Sequence, residues 1–520
     1  MRRPTRDKNY FAAIHVGSEQ VTIQLVEYQS LQDLKLIDRA TYTVALGEET
    51  FKTGTISFAA VREICELLKG YRRMMNEYGV KDYRLLATTA LREATNQQYI
   101  IDQIRIKTGF DVEVVDMPQE IFYKYIALFR AMDRNGLTQT REALLFVDIS
   151  SGGLGITLYK DHKLKYQQNI HVGILRIKER FAKYQRESVY FHEALSQYIY
   201  SIIEPVEQAL KHQKIRYLIL AGTETRLLLK MLGREQSEEL AYINPTDFKE
   251  LYERVKSLNL PQLIQAFSLT EQKAEMVLPT IVLYGQILSL ANIEEIVVPD
   301  DHFSDGLIAL HVAEKTADPF LDVVEGQIES LAISLGEKYQ YDQRHSHRVE
   351  KIALLLFDML GKVHGLGRQE RLMLQVAAIL HDIGKFVSLR QHYFYSYRLI
   401  ISSDILGFSE EDKAIIANVA HYHSKGTPSS VDAHFAVLSP ERKVITAKLS
   451  AIIRLADAID RSHRQKVDLE TLELICKGDE LLITADSGED MSLEEWTFID
   501  KSYFFEDVFG VKATLQRRRR

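Results

Sequence analysis

Two short stretches of the chain carry residue types that can handle phosphate. In Leu145-Phe-Val-Asp-Ile-Ser-Ser-Gly-Gly-Leu-Gly-Ile-Thr-Leu-Tyr159, the apolar run 144–147 reads as a buried strand that delivers Asp148 at its end. Residues 150–153 make a tight turn, and 155–159 alternate as a second strand. Small residues in such a turn let backbone N–H groups approach a phosphate, and an adjacent Asp can hold a divalent cation. An ordinary β-turn in a sheet has the same pattern. Near the N-terminus, Phe11-Ala-Ala-Ile-His-Val-Gly-Ser-Glu-Gln-Val-Thr-Ile-Gln-Leu-Val26 repeats the plan, with His15 in the place of Asp148. Two such units imply a duplicated α/β domain whose hairpins face each other across a cleft, a preferred ligand site.

The elements around these stretches alternate. Residues 59–78 have helical periodicity, with Val61, Ile64, Cys65, Leu68, Tyr71 and Met75 on one face. Strand 83–87 runs into Ala87-Thr-Thr-Ala-Leu-Arg-Glu-Ala-Thr-Asn96, a strand-to-helix junction, and Asp116-Met-Pro-Gln-Glu120 opens a helix reaching Phe129. Pro118 suits a first helical turn, and Glu120 sits near the positive end, where it can simply stabilise the dipole. A second half begins near Arg141, with helices at 173–185, 190–211, 245–258 and 277–291 and strands at 215–220 and 293–299. Asp305-Gly-Leu-Ile-Ala-Leu-His311 begins the exit from it.

Beyond about residue 320 the alternation stops. Residues 322–340, 345–364, 368–385, 391–402, 410–423 and 440–460 have helical period, so an all-α domain begins near Asp318-Pro-Phe320. Short β-like runs follow (481–484), and Arg517 to Arg520 read as a solvated basic tail. The expected domains are 1–135, 136–315, 316–465 and a C-terminal extension, 466–520.

Composition bounds what these domains do. At 520 residues and 46% hydrophobic content the chain has material for several large cores. Its net charge of −7 gives no global attraction for polyanions, so a polyanion site must be locally basic and no specific nucleic-acid role is expected. Two distant cysteines, Cys65 and Cys476, argue against a disulfide framework or a thiolate zinc site. No apolar run approaches the ~20 residues that span a bilayer. A soluble, cytoplasmic protein is expected.

Taken together, these pieces resemble the exopolyphosphatase / guanosine pentaphosphate phosphohydrolase (Ppx/GppA) family along nearly the whole chain. Ala87 to Asn96 is close to that family's A-T-x-A-x-R-x-A-x-N signature. Residues 112–120 match a segment ending in two glutamates, Val147-Asp148-Ile149 matches the start of the second phosphate hairpin, and His171-Val-Gly173 with Arg176 is similar to an L-G-x-x-R helix start. The resemblance implies two ribonuclease H-like (actin/hexokinase-like) domains followed by an HD-type helical domain. It implies Mg²⁺-dependent removal of a terminal phosphate, with Glu120 as general base, Asp148 positioning the metal and Arg92 clamping a phosphate. A surface ion pair at a helix start is the other reading of Arg92. Gly17, Ser18, Ser151, Gly152 and Gly153 would present backbone N–H groups. This chain also departs from the family's patterns. His15 stands in place of an Asp, Gln119 replaces the first glutamate of the pair, and Leu154 and Gly155 end the second hairpin. Glu224 lies where a glycine-rich loop is expected.

In the helical region, Ala377-Ala-Ile-Leu-His-Asp-Ile-Gly-Lys385 looks like the HD-superfamily signature. With His345 upstream and Asp457 downstream, it matches that superfamily's metal pattern, and His392 and His423 are further candidates, as in its binuclear versions. Adjacent His381 and Asp382 point about 100° apart on a straight helix, so a metal would sit at a helix end or kink. Three functions are therefore expected to compete. The first is hydrolysis of inorganic polyphosphate or guanosine penta/tetraphosphate in the cleft. The second is metal-dependent phosphoester hydrolysis in the HD-type domain, using a transition metal. The third is a non-catalytic regulator that binds the same polyanions. A homodimer is expected by analogy with relatives.

Overall fold

The computed structural model describes residues 8–518 apart from 151, 187, 189, 223, 235–238 and 301. They form two compact units, Met1–Val324 and Glu325–Arg520.

The first unit holds two mixed sheets built to one plan. In the first, β1 (Asn9–Val16), β2 (Gln20–Tyr28) and β3 (Leu34–Thr43) form an antiparallel meander. β4 (Tyr83–Ala87) and β5 (Val112–Val114) add in parallel on the other side of β1, giving the order β3-β2-β1-β4-β5. The second sheet repeats this with β6 (Ala143–Ile149), β7 (Leu154–Lys160) and β8 (Lys163–Ile170) as the meander. β9 (Lys214–Gly222) and β11 (Asn292–Pro299) are its parallel strands. An extra edge strand, β10 (Leu240–Ile243), pairs antiparallel to β11 and has no counterpart in the first sheet.

Burial explains why the hairpins are where they are. All seven residues of β6 are buried, the pattern of a central strand covered on both faces, so its continuous apolar run is a requirement of position. The edge strand β3 is largely exposed. Each sheet has its own apolar core, one centred on Ile14, Ile23, Ile64 and Phe110 and the other on Val147, Ile156, Ile199 and Val282.

Two expectations about boundaries need correction. The helix Phe303–Thr316, expected to close the second domain, packs on β1 and on the helix Met117–Arg134, so it completes the first sheet's layer. The helix expected over 173–185 is two pieces, Ile174–Arg180 and Lys183–Arg186, because Phe181 takes an extended conformation between them.

In the second unit the helices Gln343–Met359, Arg368–Leu380, Glu410–Tyr422 and Pro440–Ile459 pack each on the next, and the last on the first. The residues beyond 465 are part of this unit. β12 (Glu473–Lys477), β13 (Glu480–Asp486) and β14 (Lys512–Arg518) form a small sheet. Its helix Ser492–Phe509 packs along Pro440–Ile459. Arg517 and Arg518 are therefore strand residues, and Arg518, while still exposed, pairs with Glu473 and Asp486. Arg519 and Arg520 lie outside the described residues.

The C-terminal half of Pro440–Ile459 is buried on every face from Leu449 to Ile459, including Arg454, Asp457 and, one residue on, Asp460. Charges so placed must be partnered, since an unpaired buried ion costs several kcal/mol. Arg454 donates to the carbonyls of Tyr422, Ser424 and Gly426. The two aspartates lead to the site described below. No helix among the described residues is long and apolar enough to cross a membrane.

Candidate functional site

β1 and β6 hold equivalent places in the two sheets, and each carries its polar residue, His15 or Asp148, one position before its end. Thr88 and Thr89 follow β4, and the helix Met117–Arg134 starts alongside. Its N-terminus is closed by a capping box: Asp116 accepts from the Gln119 backbone N–H, and the Gln119 side chain accepts from the Asp116 N–H. Gln119 is thus a capping residue here.

Glu120, 5% exposed, is the centre of the polar cluster where the expected cleft would lie. Its Oε2 accepts from Thr89 Oγ1 at 3.3 Å and from Arg92 Nη1 at 3.1 Å. Its Oε1 lies 3.5 Å from the Nζ of Lys124, one helical turn on, and that ammonium donates to Asp148 Oδ2 at 2.9 Å. Arg92 also donates to Val115 O and Thr89 Oγ1. His15 Nε2 meets Thr88 Oγ1 at 3.0 Å, and the imidazole stacks on Phe303.

The electrostatics follow from this pairing. Burial raises the Glu120 carboxyl, but Lys124 and Arg92 outweigh it and hold the group below its ordinary value. For Asp148 burial wins over Lys124, and its carboxyl titrates above the usual range. Burial, helped by Lys124, pushes His15 down to about 4, so the imidazole is neutral. Burial, with Glu224 and Asp148 adding to it, also drives the Tyr284 hydroxyl far up.

The hairpins differ from expectation in what their backbone does. Gly17 N–H donates to Gln20 O, and Gly153 N–H donates to Ser150 Oγ, so both are used inside their own turns. Glycine at 152 is required by close approach: a Cβ there would lie 2.4 Å from Thr89 Cγ2. At Gly155 it would lie 2.8 Å from Ile121 Cγ2. These glycines let the second hairpin close on Thr89 and on the Glu120 helix. Among the described residues, Ser18 Oγ and Asp148 Oδ1 are buried without a hydrogen-bond partner. Ser151 lies outside the described residues.

A hard divalent ion needs oxygen donors with open coordination. Here Asp148 Oδ2 and Glu120 Oε1 share an ammonium, Glu120 Oε2 is held by Arg92 and Thr89, and the third expected position is an imidazole. With Lys124 in place, Asp148 Oδ1 and Ser18 Oγ are the oxygens of this cluster left for an ion among the described residues, a poor shell for Mg²⁺.

The second unit has the opposite character. The helix Arg368–Leu380 stops just before His381, and a 3₁₀ turn, Ile383–Phe386, follows Asp382. The change of direction lets both neighbours face one centre, as a site at a helix end requires. His345 Nε2 lies 3.2 Å from His381 Nε2 and 3.3 Å from Asp457 Oδ1, with Asp382 Oδ2 at 3.5 Å from His381 Nε2. On the other side of the same carboxylate, Asp382 Oδ1 is 3.3 Å from His392 Nε2 and 3.6 Å from His423 Nε2. Donors bound to one ion by bonds of ~2.1 Å stand roughly 3–3.4 Å apart, close to these separations. Groups of three or more such donors occur among the described residues in this unit only.

The outer hydrogen bonds fix the tautomers. His381 Nδ1–H donates to Ala378 O, His423 Nδ1–H to Ala420 O, His392 Nδ1–H to Leu389 O and His345 Nδ1–H to Asp460 Oδ2. All four Nε2 atoms are thereby turned toward the carboxylates, the arrangement by which proteins orient metal-bound imidazoles. Burial lowers His345, but Asp457 and Asp460 push it up to about 9, while burial takes His381 down to about 3. Lys385 pairs with Asp382, and buried Lys501 pairs with Asp457. This donor set fits a transition metal.

Sequence reasoning missed Lys124, Thr89, Asp460, His463 and Lys501. Two had a readable signal: Lys124 is four residues after Glu120 and Asp460 three after Asp457, so each shares its neighbour's helix face. His463, stacked on His345 at 3.5 Å, and Lys501 come from remote segments.

Comparison with known proteins agrees with this architecture. The model of the Ppx/GppA phosphatase family matches residues 24–312, and that of Ppx/GppA phosphatase domain III matches 329–499. A guanosine-5'-triphosphate,3'-diphosphate pyrophosphatase of Vibrio vulnificus is 21% identical over 481 residues, covering 92% of each chain. A crystal structure of the Aquifex aeolicus Ppx/GppA family member superposes with a TM-score of 0.51 at 18% identity, covering 59% of this chain and 99% of that one. An exopolyphosphatase-like protein gives a TM-score of 0.52 at 15% identity, over 59% of this chain and 98% of its own. At these identities the solved structures speak for the fold.

Proposed function

The chain belongs to the Ppx/GppA phosphatase family, hydrolases of phosphoanhydride bonds, and from that premise we propose that its cleft removes the terminal phosphate of inorganic polyphosphate or guanosine pentaphosphate. The observation that carries this is Glu120: a buried, ionised carboxylate flanked by two cations and facing the ends of both hairpins. Glu120 orients the attacking water and takes its proton as the new oxygen–phosphorus bond forms and the bridging bond breaks. Arg92 and Lys124 supply positive charge near the phosphoryl oxygens. Among the described residues, the buried Ser18 Oγ and Asp148 Oδ1 leave one hydroxyl donor and one carboxylate acceptor unused.

The test is phosphate release from long-chain polyphosphate and from guanosine pentaphosphate by wild type, Glu120→Gln and Asp382→Ala. Loss in Glu120→Gln alone supports the cleft. Wild type that binds either polyanion but releases no phosphate makes the cleft a regulatory binding site and ends the hydrolytic reading.

A second reading is favoured by the four converging imidazoles. His345, His381, Asp382 and Asp457 would hold one metal ion, and Asp382, His392 and His423 a second. Bound there, the ions would acidify a water and polarise a phosphoester oxygen. Loss of release in Asp382→Ala alone, with metal lost from His381→Ala, would move hydrolysis to the second unit.

A further inference from the structure

We infer that Lys124 is a built-in cation standing where a divalent ion would bridge the two cleft carboxylates, so that polyphosphate-type anions are taken there without added metal. The inference rests on the cleft reading above and departs from the divalent-metal dependence general to the family.

Three observations carry it. The first is position. Lys124 Nζ touches one oxygen from each half of the duplicated unit, Asp148 Oδ2 at 2.9 Å and Glu120 Oε1 at 3.5 Å, and its side chain is only 13% exposed. A helix-surface ion pair would reach one partner and remain in water; this ammonium links two buried carboxylates.

The second is charge. Glu120 and Asp148 bring two negative charges, and Arg92 and Lys124 bring two positive ones. His15, which also lies against this cluster, is kept neutral by burial, and Tyr284, on which both Asp148 and Glu224 act, keeps its proton. Among Glu120, Asp148, Arg92 and Lys124 the charges are matched two against two. A divalent ion entering between the carboxylates would displace Lys124 from Asp148 and Glu120 and so break two buried charge contacts, which is unfavourable.

The third is donor chemistry. The position equivalent to Asp148 in the first sheet is His15, whose Nε2 is engaged with Thr88 Oγ1. An imidazole next to an ammonium is a poor shell for an ion that demands oxygen ligands. A lysine is itself a phosphate binder, acting as a point charge, so the replacement conserves attraction for anionic oxygen while removing the need for an ion.

The experiment measures binding and hydrolysis of long-chain polyphosphate by the full chain, in excess EDTA and in Mg²⁺. Asp382→Ala is present throughout, so the second unit's metal chemistry does not contribute. With Lys124 intact, binding is expected to agree within about twofold between EDTA and Mg²⁺. Lys124→Met, near-isosteric and uncharged, should bind at least tenfold more weakly in EDTA and regain affinity with Mg²⁺, which then enters between the freed carboxylates. Lys124→Arg should keep EDTA-resistant binding, and circular dichroism establishes that each variant is folded. Binding that collapses in EDTA with Lys124 present, or that is unchanged in Lys124→Met, overturns the inference. The two readings fail separately. Release that needs Mg²⁺ and is lost in Glu120→Gln sinks the built-in cation and leaves cleft hydrolysis standing. EDTA-resistant, Lys124-dependent binding with no Glu120-dependent release does the reverse.

Discussion

His345 and His381 face each other through their Nε2 atoms at 3.2 Å across two helices. Their Nδ1 atoms donate to Asp460 and to the Ala378 carbonyl, so two neutral rings would aim lone pairs at one another. Only a proton or a cation between them relieves that contact, and the carboxylates of Asp382 and Asp457 border the same space.

A proton on His345 fills that role in the metal-free chain, and the protein purified without chelator is expected to carry a transition metal in its place. Elemental analysis should find it in wild type and at least tenfold less in His381→Ala. Stripping it should lower the melting temperature, because an ion held at 100 times its dissociation constant adds about 2.7 kcal/mol.

Asp460 touches the centre only through His345, so it orients that ring. Asp460→Asn should weaken metal affinity about 10–100-fold, the usual effect of removing such an outer partner. Competition with a chromophoric chelator reads this directly. Unchanged affinity would reduce the Asp460–His345 contact to a structural one.

Gly152→Ala should destabilise the first unit by about 1–3 kcal/mol, the range for overpacking a filled site, since the new Cβ would meet Thr89 Cγ2 at 2.4 Å. Urea denaturation measures it. Adding Thr89→Ser, which removes that methyl and keeps the hydroxyl, should recover most of the loss.

His311 stacks on Phe11 and lies beside Asp82, and burial pushes it down to about 4 from 6.5. A depressed histidine contributes stability that is whole above its unfolded value and lost as pH falls through the window from about 6.5 to 4. On the order of 3 kcal/mol should disappear there, the value of about 4 already containing the opposing pull of Asp82. Urea midpoints of His311→Leu should fall less than wild type between pH 7 and pH 4.5.

Much of this architecture could be read along the chain. Period-2 and period-3.6 hydrophobicity placed the paired hairpins, the Glu120 helix and the switch to an all-helical region near residue 320, because burial on one face imposes those periods wherever an element packs. His345, His381, Asp382, His392, His423 and Asp457 were singled out by their resemblance to the HD-superfamily pattern, and the fold gathers them on the two sides of the Asp382 carboxylate. Arg92, Glu120 and Asp148 were likewise singled out, and they meet around a single cluster of charges.

What each of those groups is bonded to depended on the tertiary structure. Nothing local says that Lys124 reaches across to Asp148, that Gly17 and Gly153 use their N–H groups within their own turns, or that Lys501 lies against Asp457. These are contacts between segments far apart in sequence or choices among competing hydrogen bonds. Periodicity records which face of an element is buried, but not which partner is waiting there. The chain alone thus determined the elements, their order and the residues able to do chemistry. Packing decided that the cleft carboxylates pair with cationic side chains alone and the helical ones with imidazoles as well as with Lys385 and Lys501, because charge pairing depends on distances of a few ångströms that only the folded chain sets.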